Sequence, residues 1–179
     1  MKSTWDLVFK ELLESEGGFT DDPDDPGNKL PDGRPGCTNL GVTQAAWEAY
    51  IGRQVTHEEM KALTPEKVEP FYKHKYWDCI SGDSLPMGID YMVFDMGVNS
   101  GPAKAARVLQ ECVGAAVDGR IGPGTLAKVS DANLEQLIDA YSQARLNFMR
   151  SLSGWGKYGG GWQRRVEKVA TIANNLMQA

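Results

Sequence analysis

Six carboxylates fall within the twelve residues from Glu14 to Asp25, in the stretch ESEGGFTDDPDDPG. Like charges at this density repel one another, so the stretch lowers stability unless something compensates. Three kinds of chemistry suit such a cluster. A calcium loop needs Asp-x-Asp-x-Asp-Gly closed by a distal Glu. Here Pro23 and Pro26 interrupt the acids, no glycine stands at the sixth place and no Glu closes the loop. Zinc fits no better, because the only histidines are His57 and His74 and neither has a partner at ligand spacing. The expectation is therefore no metal and no cofactor. A solvated turn accounts for Asp and Pro together, but not for an acid that continues an apolar stripe. The third chemistry is a pair of carboxylates in unlike environments. One keeps its proton for a leaving oxygen, and the other stays ionised to activate water or stabilise a sugar cation. Glu16 and Asp25 are the candidates for these two roles.

The element that must place Glu16 is the opening helix. Ser3 caps it and Asp6 sits favourably in its first turn. Trp5, Phe9 and Leu12 recur at helical spacing, and Glu16 follows Leu12 by four. An acid set against apolar side chains and other carboxylates is favoured in its protonated form. Gly17-Gly18 end the helix. Residues 19–42, rich in Pro, Gly, Asp and Asn, read as an irregular lobe with two or three short strands near FTDD and NLGV. Helices follow. Thr43 caps QAAWEAYI, Thr56 and Glu59 form a capping box, and Thr64-Pro65 open a helix that Pro70 bends near its start. Pro86 starts MGIDYMVFDMGVN. Ser100 caps the next helix, Pro123 leads a short one, and Asp131 caps a long one. A Gly-rich link, SGWGKYGGGW, leads to a last helix over about residues 162–177. The fold class is mainly α, with about eight helices and a small irregular or β lobe near residues 19–42.

The 179 residues suit one globular domain, or one with a small annex. Net charge is −5 and pI is about 5.1, which disfavours duplex nucleic acid. The charge is uneven. Residues 1–25 carry eight acids against Lys2 and Lys10, and residues 143–179 carry six bases against Glu167. Either the two ends face each other, the basic end faces an anionic partner, or both are solvated faces. Three cysteines at wide spacing, Cys37, Cys79 and Cys112, read as free thiols rather than a disulfide framework. MKSTWDLVFKELLESEG does not read as a secretory signal, and no window approaches a membrane span. The expectation is cytoplasmic synthesis and no membrane insertion.

EGGFTDDPDDPG followed by TNLGVT resembles the N-terminal motif of glycoside hydrolase family 108, phage and bacterial N-acetylmuramidases. That motif runs Glu-Gly-Gly-aromatic, Asp-Pro-Gly, then Thr-Asn-x-Gly-Ile-Thr. The similarity continues through FYKHKYWD and FDMGVNSGPAKAARVLQ. From about residue 93 to 172 the chain also resembles the predicted peptidoglycan-binding module that follows in this family, chiefly through VDGRIGPGTLAKV. The resemblance implies a lysozyme-like α+β fold. It also implies a catalytic part over 1–92 and a helical peptidoglycan-binding part over 93–179, packed as one compact unit. It implies hydrolysis of the β-1,4 bond from N-acetylmuramic acid to N-acetylglucosamine, with Glu16 as general acid. Eight residues separate Glu16 from Asp25, the interval phage-type lysozymes place between their catalytic Glu and Asp. Those enzymes place a Thr five residues further on. Here twelve residues separate Asp25 from Thr38, because NKLPDGRPGC lengthens the loop. Either the extra residues form an excursion that leaves Asp25 and Thr38 in place, or Asp22 or Thr43 takes the second role.

Other residues carry two readings each. Phe71, Tyr72, Tyr76 and Trp77 suit a core, while Tyr76 and Trp77 also suit the wall of a sugar groove. Asp95 and Asn99 share a helix face; Asn99 suits an N-acetyl group or a tied loop. Arg164 and Arg165 suit attraction to an anionic wall polymer or an offset to the acidic loop, and read first as solvated surface. With Asp22 and Thr43, the residues Tyr76, Trp77 and Asn99 complete the expected substrate contacts. Two other functions compete: a lytic transglycosylase on the same bond, and a non-catalytic peptidoglycan-binding module. The expected partner is the glycan strand of peptidoglycan, met by a monomer after release or delivery to the wall. An immunity protein joins it if the chain is a secreted effector.

Overall fold

The computed structural model describes residues 4–179; the expected Ser3 cap lies outside them. The chain forms two compact units, one over Trp5–His74 and the other over Thr4 with Lys75–Ala179.

The first unit starts with α1, Trp5–Ser15, which buries Trp5, Val8, Phe9 and Leu12 at three- and four-residue spacing. Trp5 and Phe9 stack at 5.3 Å, and Phe9 meets the Tyr72 ring at 5.9 Å. The Trp5 indole N–H donates to Glu69 at 2.8 Å. Leu12 still accepts from the Glu16 N–H at 3.0 Å, so Glu16 belongs to the last turn of this packed helix. An irregular lobe follows, with a 3₁₀ turn over Pro26–Asn28. Strands β1 (Thr38–Asn39) and β2 (Val42–Thr43) then pair antiparallel, Thr38 opposite Thr43 and Asn39 opposite Val42. Leu40 and Gly41 between them both have positive φ, 51° and 74°. That is the primed turn that a two-residue hairpin loop demands, and it uses the Gly of NLG at its second place. Thr20 bridges to Thr38 on the other side.

Three short helices complete this unit: α2 Gln44–Ile51, α3 His57–Lys61 and α4 Pro65–Tyr72. Thr43, Thr56 and Thr64 cap them as expected, with the Thr56–Glu59 capping box formed. Pro70 lies inside α4, and the helix runs only two residues beyond it before widening to a π turn over Lys73–Trp77. The expected continuous helix through Asp78 is thus three successive helical geometries, the last a 3₁₀ turn over Asp78–Ile80. Proline contributes no N–H to the ladder, which weakens the regular pattern where it sits.

The second unit is all helical. Its centre is α5, Ile89–Ser100, in which every residue from Ile89 to Gly97 is buried. It packs against α6 (Pro102–Val113), α8 (Leu134–Arg150) and α9 (Trp155–Gln178). The short α7, Pro123–Ser130, packs on α6. Three expectations are corrected here. Ser100 ends α5 instead of capping α6, whose cap is Gly101 at φ 88° before Pro102. Asn133, not Asp131, caps α8, accepting from the Gln136 N–H. The Gly-rich stretch is the start of α9, not a link. Within it the Trp155 indole covers Gly159, where a methyl would come within 2.6 Å of the ring. Among the described residues the result is nine α-helices and one two-stranded sheet, a mainly α fold with a small β lobe.

Candidate active site

Glu16 leaves α1 half-buried, and the hairpin turn is its neighbour. A Cβ placed on Gly41 would lie 2.7 Å from Glu16 Oε2 and 2.6 Å from the Tyr72 hydroxyl. The carboxyl and the phenol thus both press on the one residue of the turn that has no side chain. Tyr72 donates to the Leu40 carbonyl at 2.7 Å, which ties α4 to the turn. Asn39 is buried and donates to the Met60 carbonyl at 2.9 Å, tying α3 to the strand below. At the foot of the hairpin Gln44 Nε2 donates to the Val55 carbonyl at 2.8 Å. The cradle is therefore held from three helices, which is what a reacting side chain needs from its surroundings.

Asp25 lies at the other end of the hairpin. Its Oδ1 accepts from the Gly27 N–H at 2.8 Å and so caps the 3₁₀ turn. A Cβ on Gly27 would meet Asp25 Oδ1 at 3.2 Å, the Thr43 methyl at 3.3 Å and Thr38 Oγ1 at 3.8 Å. Asp25, Thr38 and Thr43 thus gather around a second bare glycine. The Thr38 hydroxyl donates to Asn28 Oδ1 at 2.7 Å, and Asn28 Nδ2 donates to the Asp22 carbonyl at 2.9 Å. Asp22 is exposed and Oδ1 accepts from the Asp24 N–H, so its carboxylate shapes the turn. Thr43 Oγ1 accepts from the Ala46 N–H as the α2 cap.

The lengthened loop closes on itself. Lys29 bridges to Pro35, Leu30 N donates to the Arg34 carbonyl at 3.2 Å, and Gly36 N donates to the Asn28 carbonyl at 2.7 Å. Arg34 fixes this finger to α2 through Glu48, at 3.3 and 2.9 Å, and to its own turn through Asp32 at 2.7 Å. The hydrogen bonds from Arg34 first, and from the Val55 N–H next, bring the Glu48 carboxyl down to about 2. The excursion thus returns the chain to Asn28, and Thr38 arrives beside Asp25 despite the extra residues.

Tyr76, Trp77 and Asn99 belong to the second unit. Trp77 is buried; its indole N–H donates to Asp83 at 2.9 Å and its ring packs edge-on to Phe94 at 5.7 Å. A Cβ on Gly82 would fall 2.3 Å from the same ring. Trp77 is a core residue, with no face open to a sugar. Tyr76 is half-buried, with the Lys75 ammonium 5.7 Å from its ring. Asn99 is exposed. Its side-chain oxygen, turned to satisfy its neighbours, accepts from Arg145 at 3.1 Å and Arg165 at 3.2 Å. Those two arginines also pair with buried Asp95, at 2.8 and 2.9 Å. Burial alone would raise the Asp95 carboxyl, but the charges of Arg145 and Arg165 outweigh it and hold it below the usual carboxylate range. Arg165 is therefore no solvated surface residue.

Sequence reasoning missed Asn28, Gly27 and Gly41 as parts of the site. The sequence suggests a short strand near NLGV, where Leu40 and Gly41 form the turn on which Glu16 leans. Among the described residues no group of three His, Cys, Asp or Glu side chains is placed to hold a metal ion.

Comparison with known proteins fits this geometry. No curated protein sequence matches the chain. A solved structure, that of Brucella abortus SagA, is 36% identical, covers 100% of this chain and 98% of that one, and superposes with a TM-score of 0.87. The family model for the predicted peptidoglycan domain matches residues 104–167, from α6 into α9. The family model for glycosyl hydrolase 108 matches residues 9–101, more than half of the chain, from α1 through the hairpin to the end of α5. The chain belongs to the glycosyl hydrolase 108 family, a glycoside hydrolase whose second part is a peptidoglycan module.

Proposed function

We propose that this peptidoglycan hydrolase cleaves the β-1,4 bond between N-acetylmuramic acid and N-acetylglucosamine with inversion at the anomeric carbon. Glu16 protonates the bridging oxygen. Asp25, with Thr38 beside it, holds a water against the opposite face of the muramic ring and takes its proton as the bond breaks. The observation that carries this reading is the hairpin. Glu16 leans on its turn at Gly41, and Asp25 and Thr38 meet Gly27 at its foot. An inverting pair needs roughly 6.5–9.5 Å between carboxyl groups to admit a water, and Glu16 and Asp25 are expected to stand in that range. Asp22, Asp25 and Thr43 each accept a backbone N–H; Asp25 is preferred because it brings a carboxylate to Gly27, where the Thr38 hydroxyl also lies and Thr43 turns only its methyl.

The test is muropeptide analysis of digested peptidoglycan with the parent, Glu16→Gln and Asp25→Asn. The expected products carry reducing muramic ends with inverted configuration, and both variants lose activity while keeping the parent's circular dichroism. Anhydro-muramic ends would replace this mechanism with transglycosylation, in which the substrate's own N-acetyl group does the work assigned to Asp25. Full activity in Glu16→Gln would remove the proposed acid altogether.

A further inference from the structure

The stretch from residue 140 to 166 holds Arg145, Arg150, Lys157, Arg164 and Arg165 and no acid. Arg145 and Arg165 are engaged with Asp95. The other three lie along the junction of α8 and α9, where Trp155, Tyr158 and Trp162 form a cluster. Tyr158 and Trp162 stack at 5.9 Å, and Trp155 lies 6.2 Å from Trp162. The Arg150 guanidinium stands 5.6 Å from the Trp155 ring and the Lys157 ammonium 5.0 Å from the Tyr158 ring. Tyr158 is 50% exposed, an unusual position for a large ring.

The backbone around these side chains is bare. Gly156, Gly160 and Gly161 are exposed in the helix. A methyl on Gly156 would meet nothing within 4 Å, and on Gly160 and Gly161 only the Arg164 guanidinium, at 3.5 and 3.8 Å. Packing does not require these glycines, in contrast to Gly159 under Trp155, and helix propensity disfavours them. Their effect is to leave Tyr158, Lys157 and Arg164 clear of neighbours. An exposed aromatic face suits the flat apolar side of a pyranose, and a stretch in which bases outnumber acids, with Glu167 three residues beyond Arg164, suits carboxylates. A ligand with both features is a glycan strand that bears carboxylated peptide stems.

We propose that this face docks peptidoglycan, with a sugar ring of the glycan strand on Tyr158 and Trp162 and carboxylates of its peptide stems on Arg150, Lys157 and Arg164. The inference rests on the peptidoglycan reading above and adds to it the residues and the chemistry of recognition. It does not depend on Glu16.

Co-sedimentation with insoluble peptidoglycan tests it, carried out on Glu16→Gln so that the polymer stays intact. Tyr158→Ala and Gly161→Glu are made in that chain; neither position has a packing partner to lose beyond the cluster itself. Each is expected to weaken binding about tenfold with an unchanged melting temperature, and added salt is expected to weaken the unsubstituted chain. Binding at the unsubstituted level in both variants overturns the proposal. So does equal binding to uncharged chitin, or equal binding to a polyanion without sugar rings such as polyphosphate, because neither combines a glycan with carboxylates. A parent that digests soluble glycan chains but sediments with no polymer overturns the docking face and leaves the catalytic reading standing. A chain that binds through Tyr158 but digests nothing overturns the catalytic reading alone.

Discussion

Acids are used in opposite ways in the two units. In Trp5–His74, Glu16 and Asp25 lie against glycine backbone at the two ends of a hairpin, one half-buried and one exposed. In Lys75–Ala179, Asp95 is 2% exposed and clamped by Arg145, itself 1% exposed, and by Arg165. The first arrangement seats two carboxyl groups against bare backbone. The second fixes a carboxylate in its ionised form and spends it on joining α5, α8 and α9. The difference teaches that burial and charge alone do not mark a candidate reacting acid: Asp95, as buried as Asp90, is held by two arginines. Its strong partners are arginines, whereas the candidate catalytic pair rests on glycines.

The largest test of that contrast is a double dissociation. Glu16→Gln is expected to lower peptidoglycan-clearing activity by roughly 10³-fold or more and to leave the thermal midpoint at the parent value. Asp95→Asn is expected to do the reverse. It breaks a buried pair and leaves Arg145 uncompensated, which costs about 3–5 kcal/mol, read by urea unfolding, while activity per folded molecule stays at the parent level. If Asp95→Asn abolished activity in a folded protein, the assignment of this acid to structure alone would fail.

The same pair carries a pH signature. The Asp95 carboxyl is depressed in the folded state. Its contribution to stability is present above the unfolded value, about 3.9, and is lost as pH falls through that value toward the folded one. Asp90 has the opposite sign: burial raises its carboxyl, with hydrogen bonds from Thr4, Tyr91 and Gly88 opposing. Deprotonating Asp90 therefore costs folding stability as pH rises. Acid unfolding curves should become shallower below about pH 4 in Asp95→Asn, whereas Asp90→Asn should lose less stability at neutral pH than Asp95→Asn does.

Much of this contrast was readable in advance, and the parts that were not share one cause. The placement of Glu16 follows from three- and four-residue periodicity, which is local to α1. The Thr43, Thr56 and Thr64 caps follow from short-range hydrogen bonding. NLGV reads as a short strand, whereas Leu40 and Gly41 form the turn between two such strands. Ser100 and Asp131 look equally good as caps, yet neighbouring Gly101-Pro102 and Asn133 take those places. The Gly-rich start of α9 reads as a link because propensity disfavours a helix there, yet it is helical, with Trp155 covering Gly159. Arg165 reads as surface because its partner Asp95 is seventy residues away. The return of Thr38 to Asp25 depends on the finger over 29–35 closing through Arg34 and Glu48, a long-range event that spacing from Asp25 cannot express.

A smaller effect separates strain from contact within the first unit. Gly41 and Gly33 both have positive φ, 74° and 86°. A methyl on Gly33 would meet nothing within 4 Å, whereas on Gly41 it would displace the Glu16 carboxyl and the Tyr72 hydroxyl. Gly33→Ala and Gly41→Ala share the cost of forcing alanine into a left-handed conformation, about 1 kcal/mol each. Only Gly41→Ala is expected to reduce kcat, by about 10²-fold, since a displacement of roughly 1 Å at a reacting group costs that much. Equal kcat in the two variants would show that the turn does not position the acid.

The smallest effect concerns one hydroxyl. Thr38 Oγ1 bonds Asn28 Oδ1 and stands near Asp25 around Gly27. Thr38→Val keeps the β-branched shape that suits the strand and the Thr43 pairing, but removes the donor and leaves the buried Asn28 oxygen without it. That costs about 1 kcal/mol of stability. It should also lower activity about tenfold if the hydroxyl helps Asp25 hold the water, an effect of about 1.4 kcal/mol on the barrier. Thr38→Ser restores the hydroxyl and removes only a methyl group. Activity that returns in Thr38→Ser while the lost methyl still lowers the melting temperature would tie the hydroxyl to the reaction. Activity that tracks melting temperature through both variants would make Thr38 a strand residue and leave Asp25 to hold the water alone.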